Sequence, residues 1–114
     1  MDRSTMTLRI GCKEEECSSV SQLIGHAAST VKRSWGFAAP ESIGADLDGQ
    51  VQWILSRLTS DLSVWRQLTS KYEVDLFCGL FLEHSNRGVS LSVDTMGQLA
   101  ERGIEIGFDI YAPE

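Results

Sequence analysis

Segments near both ends of the chain alternate apolar and polar residues with a period of two, and this pattern restricts the fold more than any other feature. The apolar positions are Met6, Leu8 and Ile10 in the first segment and Ile104, Ile106, Phe108 and Ile110 in the last. Because successive side chains of a β-strand point to opposite faces, each segment predicts a strand with one apolar face and one polar face. A parallel sheet that is covered on both sides needs strands that are apolar on both faces, so that fold class is excluded.

Between these two strands, the apolar residues change to a helical spacing. From Leu47 to Tyr72 they recur every three or four residues, which is typical of an amphipathic helix. The run Thr59-Ser60-Asp61 interrupts this stretch with poor helix formers that are good N-caps. The pattern therefore predicts two helices, over about 45–58 and 61–71.

Two further helices are expected to be shorter. The first has its N-cap at Ser18 or Ser19 and ends at Gly25, which can adopt the left-handed conformation of a helix C-terminus. The second begins after the N-cap Ser92 and turns an apolar stripe that includes Met96 toward the core.

Two more segments predict strands and complete the order β-α-β-α-α-β-α-β. One has Trp35 and Phe37 on its inner face, and the other covers 73–82 and precedes a turn at Asn86-Arg87-Gly88. We therefore expect one α+β domain, 1–114. Its architecture would be a two-layer sandwich, with a four-stranded mixed or antiparallel sheet and helices packed on one face.

The charge balance restricts the partners and the location. Ten Lys and Arg residues oppose sixteen Asp and Glu residues, which gives a net charge of −6. A protein that binds duplex phosphates needs a basic face, so nucleic acid is not expected as a partner. A membrane partner is not expected either, because no run approaches the roughly 18 apolar residues that cross a bilayer and no leader-like apolar stretch follows Met1. Three cysteines argue against a disulfide framework and favour a cytoplasmic location.

Five residues could suggest a metal site or a nucleophilic site: Cys12, Cys17, His26, Cys78 and His84. Structural zinc sites usually have two close pairs of ligands, whereas only Cys12 and Cys17 are near each other here. No nucleophile-elbow or Cys-His signature surrounds either histidine, and no glycine-rich phosphate-binding motif is present. The sequence therefore predicts no metal, no cofactor and no catalytic residue.

The parity of the last two strands predicts an exposed surface. If Leu80 and Ile106 point inward, their neighbours must point outward. These neighbours include the aromatic residues and carboxylates that we expect to bind a partner, namely Phe77, Phe81, Glu105, Asp109 and Tyr111. Exposed aromatic sheet faces bind RNA in some folds, but those domains carry basic residues beside the rings, whereas the charges expected here are acidic. The surface is predicted to contact protein or a second copy, unless a helix or a terminus covers it.

Two other features suggest partner contacts. At 100° per residue, Trp53 lies about 150° from the apolar stripe of its helix, beside Gln50. An outward tryptophan is a typical hot-spot residue, and the alternative is that it packs under a neighbouring loop. Glu14, Glu15 and Glu16 form the densest acidic cluster, which is either a solvated turn before a helix or part of a partner-binding surface.

Several short motifs are spread over nearly the whole chain. They are the first strand with its acidic turn, Leu23-Ile24-Gly25, Trp35 in a strand, Asp46-Leu47 at the start of the long helix, Leu91-Ser92 before Leu99-Ala100, and Phe108-Asp109-Ile110-Tyr111. In these motifs and their order, the chain resembles the bacterial domain of unknown function 4279 family. The resemblance implies a small α+β domain without an established activity. It also implies a place among the small acidic proteins suspected of acting as immunity proteins in bacterial toxin systems.

One segment departs from the pattern of that family. Between Gly25 and Trp35 the loop is short and rich in Ala and Ser, whereas the family usually has a longer loop that contains Pro and Gly. The departure puts any ligand role of this loop in doubt.

Three functions are compatible with these features. The first is a non-catalytic protein-binding domain, an immunity protein that covers the basic surface of a toxin. An alternative is a small ligand-binding or hydrolytic domain with a cleft near 12–35, where His26, Trp35 and the acidic turn would meet. A further alternative is a homodimeric structural module joined through the open sheet face, and the chain is expected to be a monomer or a homodimer.

Overall fold

The described part of the chain forms a mixed five-stranded sheet with four helices packed against one face, which confirms the predicted α+β class. A computed structural model describes residues 2–31, 34–85 and 88–113. Its elements, in chain order, are β1 (Arg3–Ile10), α1 (Cys17–Ile24), β2 (Trp35–Ala38), β3 (Ser42–Ile43), α2 (Leu47–Arg57), α3 (Leu62–Lys71), β4 (Val74–Phe81), α4 (Val93–Arg102) and β5 (Glu105–Tyr111).

The strands are arranged in the order β2-β1-β4-β5. β1 runs antiparallel to β2 and β4, while β4 and β5 are parallel and are connected through α4. The short strand β3 pairs with the start of β1, where Arg3 lies opposite Ile43. The sequence predicts four strands and misses β3, because two residues are too few to show a period.

Capping residues fix the helix ends. Asp46, Asp61 and Ser92 each accept a backbone N–H from the first turn of the helix that follows, at 2.9–3.1 Å. Gly25 ends α1 with a φ of 82°, a conformation that costs glycine little because it has no Cβ.

The start of α1 differs from the prediction. A 3-10 turn at Glu14–Glu16 leads directly into the helix, which begins at Cys17. The N-cap expected at Ser18 or Ser19 is therefore wrong. The acidic turn supplies the first hydrogen-bonded turn instead, because the Glu16 carboxylate accepts a backbone N–H from the residue that precedes the turn, at 3.0 Å.

Two tryptophans occupy the core between the sheet and the helices, as their apolar spacing predicts. Trp35 of β2 and Trp65 of α3 are both fully buried. Each indole N–H has a partner at 2.8 Å, because Trp35 donates to the Ser21 hydroxyl and Trp65 donates to the Thr59 carbonyl. Their burial therefore leaves no donor unsatisfied.

The edge strand β5 departs from the predicted pattern. Ile106 is half-buried, but Phe108 is 45% exposed and Ile110 is 59% exposed, although both point to the helix side. The helix α4 packs against α2 and α3, so the outer half of β5 has little cover. Met96 of α4, which the sequence predicts to face the core, is exposed as well.

The turn predicted at Asn86-Arg87-Gly88 cannot be compared with the structure, because Asn86 and Arg87 lie outside the described residues. In the ranges that the structure describes, no helix is long and apolar enough to cross a bilayer.

A buried glutamine connects α2 to β1. Gln50 is only 5% exposed, although the sequence places it on the polar side of its helix. Its carbonyl oxygen accepts from the Ser4 hydroxyl at 2.6 Å, and its amide nitrogen donates to the carbonyls of Ser4 and Pro40 at 2.9 and 3.1 Å. The side chain thus satisfies polar groups of β1 and of the segment before β3 inside the protein.

Replacing this glutamine should destabilise the fold strongly. Gln50→Ala removes the side-chain donor of the buried Ser4 carbonyl and the acceptor of the buried Ser4 hydroxyl, so we expect the free energy of unfolding to fall by about 2–3 kcal/mol. The matched control is Gln67→Ala on the exposed side of α3, which should change it by no more than about 0.5 kcal/mol. Urea denaturation of both variants measures the difference, and equal effects would contradict the proposed role of Gln50.

Candidate partner-binding surface

Among the described residues, one face of the sheet carries no helix, because the buried residues of the helices and strands join in a single core on the other side. We call this surface the helix-free face. Strand pairing arranges its residues in four rows across β1, β4 and β5: Arg9, Asp75 and Glu105; Thr7, Phe77 and Gly107; Thr5, Gly79 and Asp109; Arg3, Phe81 and Tyr111.

Aromatic rings form one end of the helix-free face. The rings of Phe81 and Tyr111 stack with centroids 4.7 Å apart and planes 5° apart, and both residues are partly accessible. The Arg3 guanidinium lies 4.3 Å from the centroid of the Phe81 ring and forms a 3.0 Å ion pair with Glu41. The Tyr111 hydroxyl donates to Asp109 at 2.5 Å, and this carboxylate raises the pKa of the phenol.

The opposite end is organised by an arginine. Arg9 donates to both carboxylate oxygens of Asp75, at 2.9 and 2.6 Å, and these bonds raise the pKa of its guanidinium. The same guanidinium lies 4.6 Å from the centroid of the Phe77 ring. An arginine thus contacts an aromatic ring at each end of the face, although the sequence predicts that the charges beside the rings are acidic.

Two glycines keep the middle of the helix-free face low. A Cβ on Gly79 would lie 2.6 Å from the Thr5 hydroxyl and 3.3 Å from the Phe81 ring, so glycine is needed for this ring to lie across the strand. A Cβ on Gly107 would meet no atom within 4 Å. The surface between Phe77 and Tyr111 is therefore shallow and open.

Carboxylates outnumber the arginines on and beside this face. Arg3 and Arg9 are each paired with a carboxylate, from Glu41 and Asp75. Glu105 and Asp109 on β5 are exposed and have no salt bridge among the described residues. The net negative charge of the face is therefore carried by β5.

Trp53 does not belong to this surface. It is half-buried in the helix layer, where its ring stacks on Phe37 with centroids 5.6 Å apart. The Arg57 guanidinium lies 3.8 Å from its centroid on the same helix. Trp53 also lines a groove of about 370 Å³ together with Pro40 and Ile43. Packing against β2 and the following segment therefore accounts for its position.

The acidic turn is divided between two environments. Glu14 and Glu15 are exposed. Glu16 is half-buried, accepts from the Tyr72 hydroxyl at 2.8 Å and lies 3.5 Å from the Lys71 ammonium. Its pKa is lowered, first by the backbone N–H that it accepts and then by the Tyr72 hydroxyl. Glu16 therefore fixes the turn against α3.

A polar cleft of about 540 Å³ opens where the helix-free face meets the ends of the helices. Arg9, Asp75 and Glu105 line it from the face, and Tyr72 and Glu73 line it from the connection between α3 and β4. The sequence pattern does not predict this cleft, because it forms from segments that are far apart in the chain.

The cysteines and histidines are not gathered into one site. The thiols of Cys12 and Cys17 lie 3.5 Å apart and are buried, and burial is the first cause that raises the pKa of Cys17 to about 11. Cys78 lies in the sheet core, and all three cysteines are free. Among the residues that the structure describes, no group of three or more His, Cys, Asp or Glu side chains could hold a metal ion.

The structure does not bring together the residues of the alternative cleft near 12–35. Trp35 is fully buried. His26 is exposed, and its ring packs against Phe37 with centroids 4.4 Å apart. Neither of the two cavities described above is lined by either residue.

Comparison with known proteins gives one finding. A model of the family described as "Domain of unknown function (DUF4279)" matches residues 4–113, which is nearly the whole chain. Comparisons with curated proteins and with solved structures found no match.

The hydrogen bond between Tyr111 and Asp109 can be tested by titration. Because a carboxylate that accepts from the phenol stabilises its protonated form, Asp109→Asn should lower the pKa of Tyr111 toward the ordinary value of about 10. Ultraviolet difference titration follows the phenols, and the chain has only two tyrosines. Glu16→Gln is the control, since it should lower the pKa of Tyr72 instead. An unchanged titration in Asp109→Asn would contradict the contact.

Charge reversal on β5 should leave the fold intact. Glu105 and Asp109 are exposed, so Glu105→Lys together with Asp109→Lys should change the free energy of unfolding by no more than about 1 kcal/mol. A thermal melt measures the effect. A collapsed melting temperature would mean that these side chains support the sheet rather than present a surface.

Proposed function

Since the chain belongs to the family described as "Domain of unknown function (DUF4279)", a description that assigns no activity, we propose from its surface that it is a non-catalytic protein-binding domain. The observation that carries the proposal is the helix-free face, where Phe77, Phe81 and Tyr111 are accessible beside the exposed carboxylates of β5. Accessible aromatic rings with charged neighbours are the type of surface from which protein interfaces are built.

The partner is expected to present a basic surface. The chain has a net charge of −6, and the two carboxylates of β5 carry the charge that the arginines of the face do not balance. Complementary charge accelerates association and rejects acidic competitors. An immunity protein that covers a basic toxin fits this description, and this is the biological role that we propose.

The proposed setting is the bacterial cytoplasm. All three cysteines are free thiols, and free thiols are favoured in a reducing compartment.

The test compares two sets of charge reversals that alter net charge equally. Glu105→Lys with Asp109→Lys alters the helix-free face, and Asp94→Lys with Glu101→Lys alters the exposed side of α4. Tagged wild type and both double variants are used to capture partners from the native host, and the binding kinetics of the captured partner are then measured at low and high salt.

We expect the β5 double variant to lose capture, mainly through slower association and with a weaker salt dependence, whereas the α4 double variant keeps it. Phe81→Ala should lose capture through faster dissociation, because it removes an aromatic ring from the contact. Equal loss in both charge variants would indicate an effect of net charge alone. Undiminished capture by the β5 variant would place the interface elsewhere.

A further inference from the structure

The free edge of β5 presents unpaired backbone groups. A hydrogen bond joins the Leu82 N–H to the Tyr111 carbonyl at 3.0 Å, so Tyr111 directs its backbone toward β4. Alternate residues of a strand direct their backbone groups to opposite sides. The backbone N–H and C=O groups of Glu105, Gly107 and Asp109 therefore also point toward β4. The amides of the intervening residues, Ile106, Phe108 and Ile110, therefore point away from the sheet, and no described residue pairs with them.

At the other edge of the sheet, β2 is covered by the segment that precedes it. Beside β2, Ser29 and Thr30 donate backbone N–H groups to the Gly36 carbonyl, and the Gly36 N–H donates back to Thr30 at 2.9 Å. The Ala38 N–H donates to the Ser29 hydroxyl at 3.1 Å. Natural sheets usually cover or block their edges in this way, since an open edge recruits another strand. Within the described residues, β5 lacks such a cover.

The side chains at this open edge are apolar as well. Phe108 is 45% exposed and Ile110 is 59% exposed on the helix side of β5, although the sequence pattern predicts both to be buried. An edge that combines unpaired amides with uncovered apolar side chains is suited to strand pairing.

We propose that β5 pairs with β5 of a second copy, antiparallel about a two-fold axis at Phe108, so that the two sheets become continuous. This register places Phe108 opposite Phe108 of the second copy and Ile106 opposite Ile110. It forms six inter-strand hydrogen bonds, all from the residues whose amides point outward. The strand is thus complementary to itself, which is the requirement for a two-fold interface.

The charges of β5 favour this register over its neighbours. Centred on Phe108, it places Glu105 opposite Tyr111 and Asp109 opposite Gly107, so no carboxylate directly faces another. A register centred on Gly107 would place Glu105 opposite Asp109, and one centred on Asp109 would place this residue opposite its own copy. Like charges directly opposite each other destabilise a sheet, so both alternatives are disfavoured.

This proposal does not depend on the proposed function, and it is tested on the purified chain alone. Sedimentation equilibrium of the wild type should give about twice the 12.6 kDa mass of one chain at micromolar concentrations. Phe108→Lys and Phe108→Glu each place like charges at the two-fold axis, so each should raise the dissociation constant of the dimer by about tenfold or more. Because the opposed positions are the same residue, mixing the two variants should restore the dimer.

The control is Val93→Lys, which introduces the same charge at an exposed apolar residue of α4 and should leave the dimer unchanged. Circular dichroism of each variant checks that the monomer is folded. A wild type that stays monomeric would overturn the proposal. A dimer that survives both Phe108 substitutions, or that the mixture fails to restore, would also overturn it.

If the charged variants do not fold, Phe108→Cys provides a second measurement. Opposed residues of a hydrogen-bonded antiparallel pair have Cα atoms about 5.5 Å apart, which is within the range of a disulfide. With oxidised glutathione, the two thiols form a disulfide between the chains while the glutathione disulfide is reduced to two thiols. We expect a covalent dimer from Phe108→Cys and none from the wild type or from Val93→Cys. The same yield from Val93→Cys, or no covalent dimer from Phe108→Cys, would overturn the proposal.

Discussion

The antiparallel pairing of β1 with β4 is the interaction on which the rest of the structure depends. Eight residue pairs join the two central strands, and in this register Leu8 and Leu76 lie opposite each other in the core, both fully buried. A shift of one strand by a single residue would turn its apolar side chains to water and its charged ones inward. The ion pair of Arg9 and Asp75 would then be broken, with one charge buried and unpaired at a cost of several kcal/mol. The same register produces the helix-free face, because the residues next to each inward-pointing residue direct their side chains to the opposite face of the sheet.

The fold could be predicted where a short-range pattern decides the structure. Strand parity, helical spacing and the caps at Asp61 and Ser92 are local signals, and the structure confirms the elements that they predict. Features that depend on distant residues could not be predicted. Gln50 is buried because it meets a serine of β1 that lies 46 positions away. Phe108 is exposed because α4 packs on other helices, and no periodicity contains that information.

The candidate site likewise combines features that the sequence predicts with features that depend on distant residues. Parity predicts which side chains of β4 and β5 share the helix-free face, but it does not predict what they contact. The placement of Arg3 over Phe81 and of Arg9 over Phe77 requires the pairing of two strands that are more than 60 positions apart in the chain. These guanidiniums cover part of each ring and are themselves paired with carboxylates. As a result, the face is less acidic around its rings than its composition suggests, and its unbalanced charge is confined to β5.

The confinement of the unbalanced negative charge to β5 links the proposed partner-binding surface to the proposed dimer. Pairing at the edge of β5 uses the outward amides of residues such as Phe108, while Glu105 and Asp109 keep their side chains on the helix-free face. A second copy would therefore extend this face rather than cover it, and it would place the carboxylates of two β5 strands near each other. The repulsion between these carboxylates opposes the dimer. A basic partner bound across the junction of the two β5 strands would reduce this repulsion. Since linkage is reciprocal, such a partner would bind the dimer more tightly than the monomer by the same factor by which it stabilises the dimer.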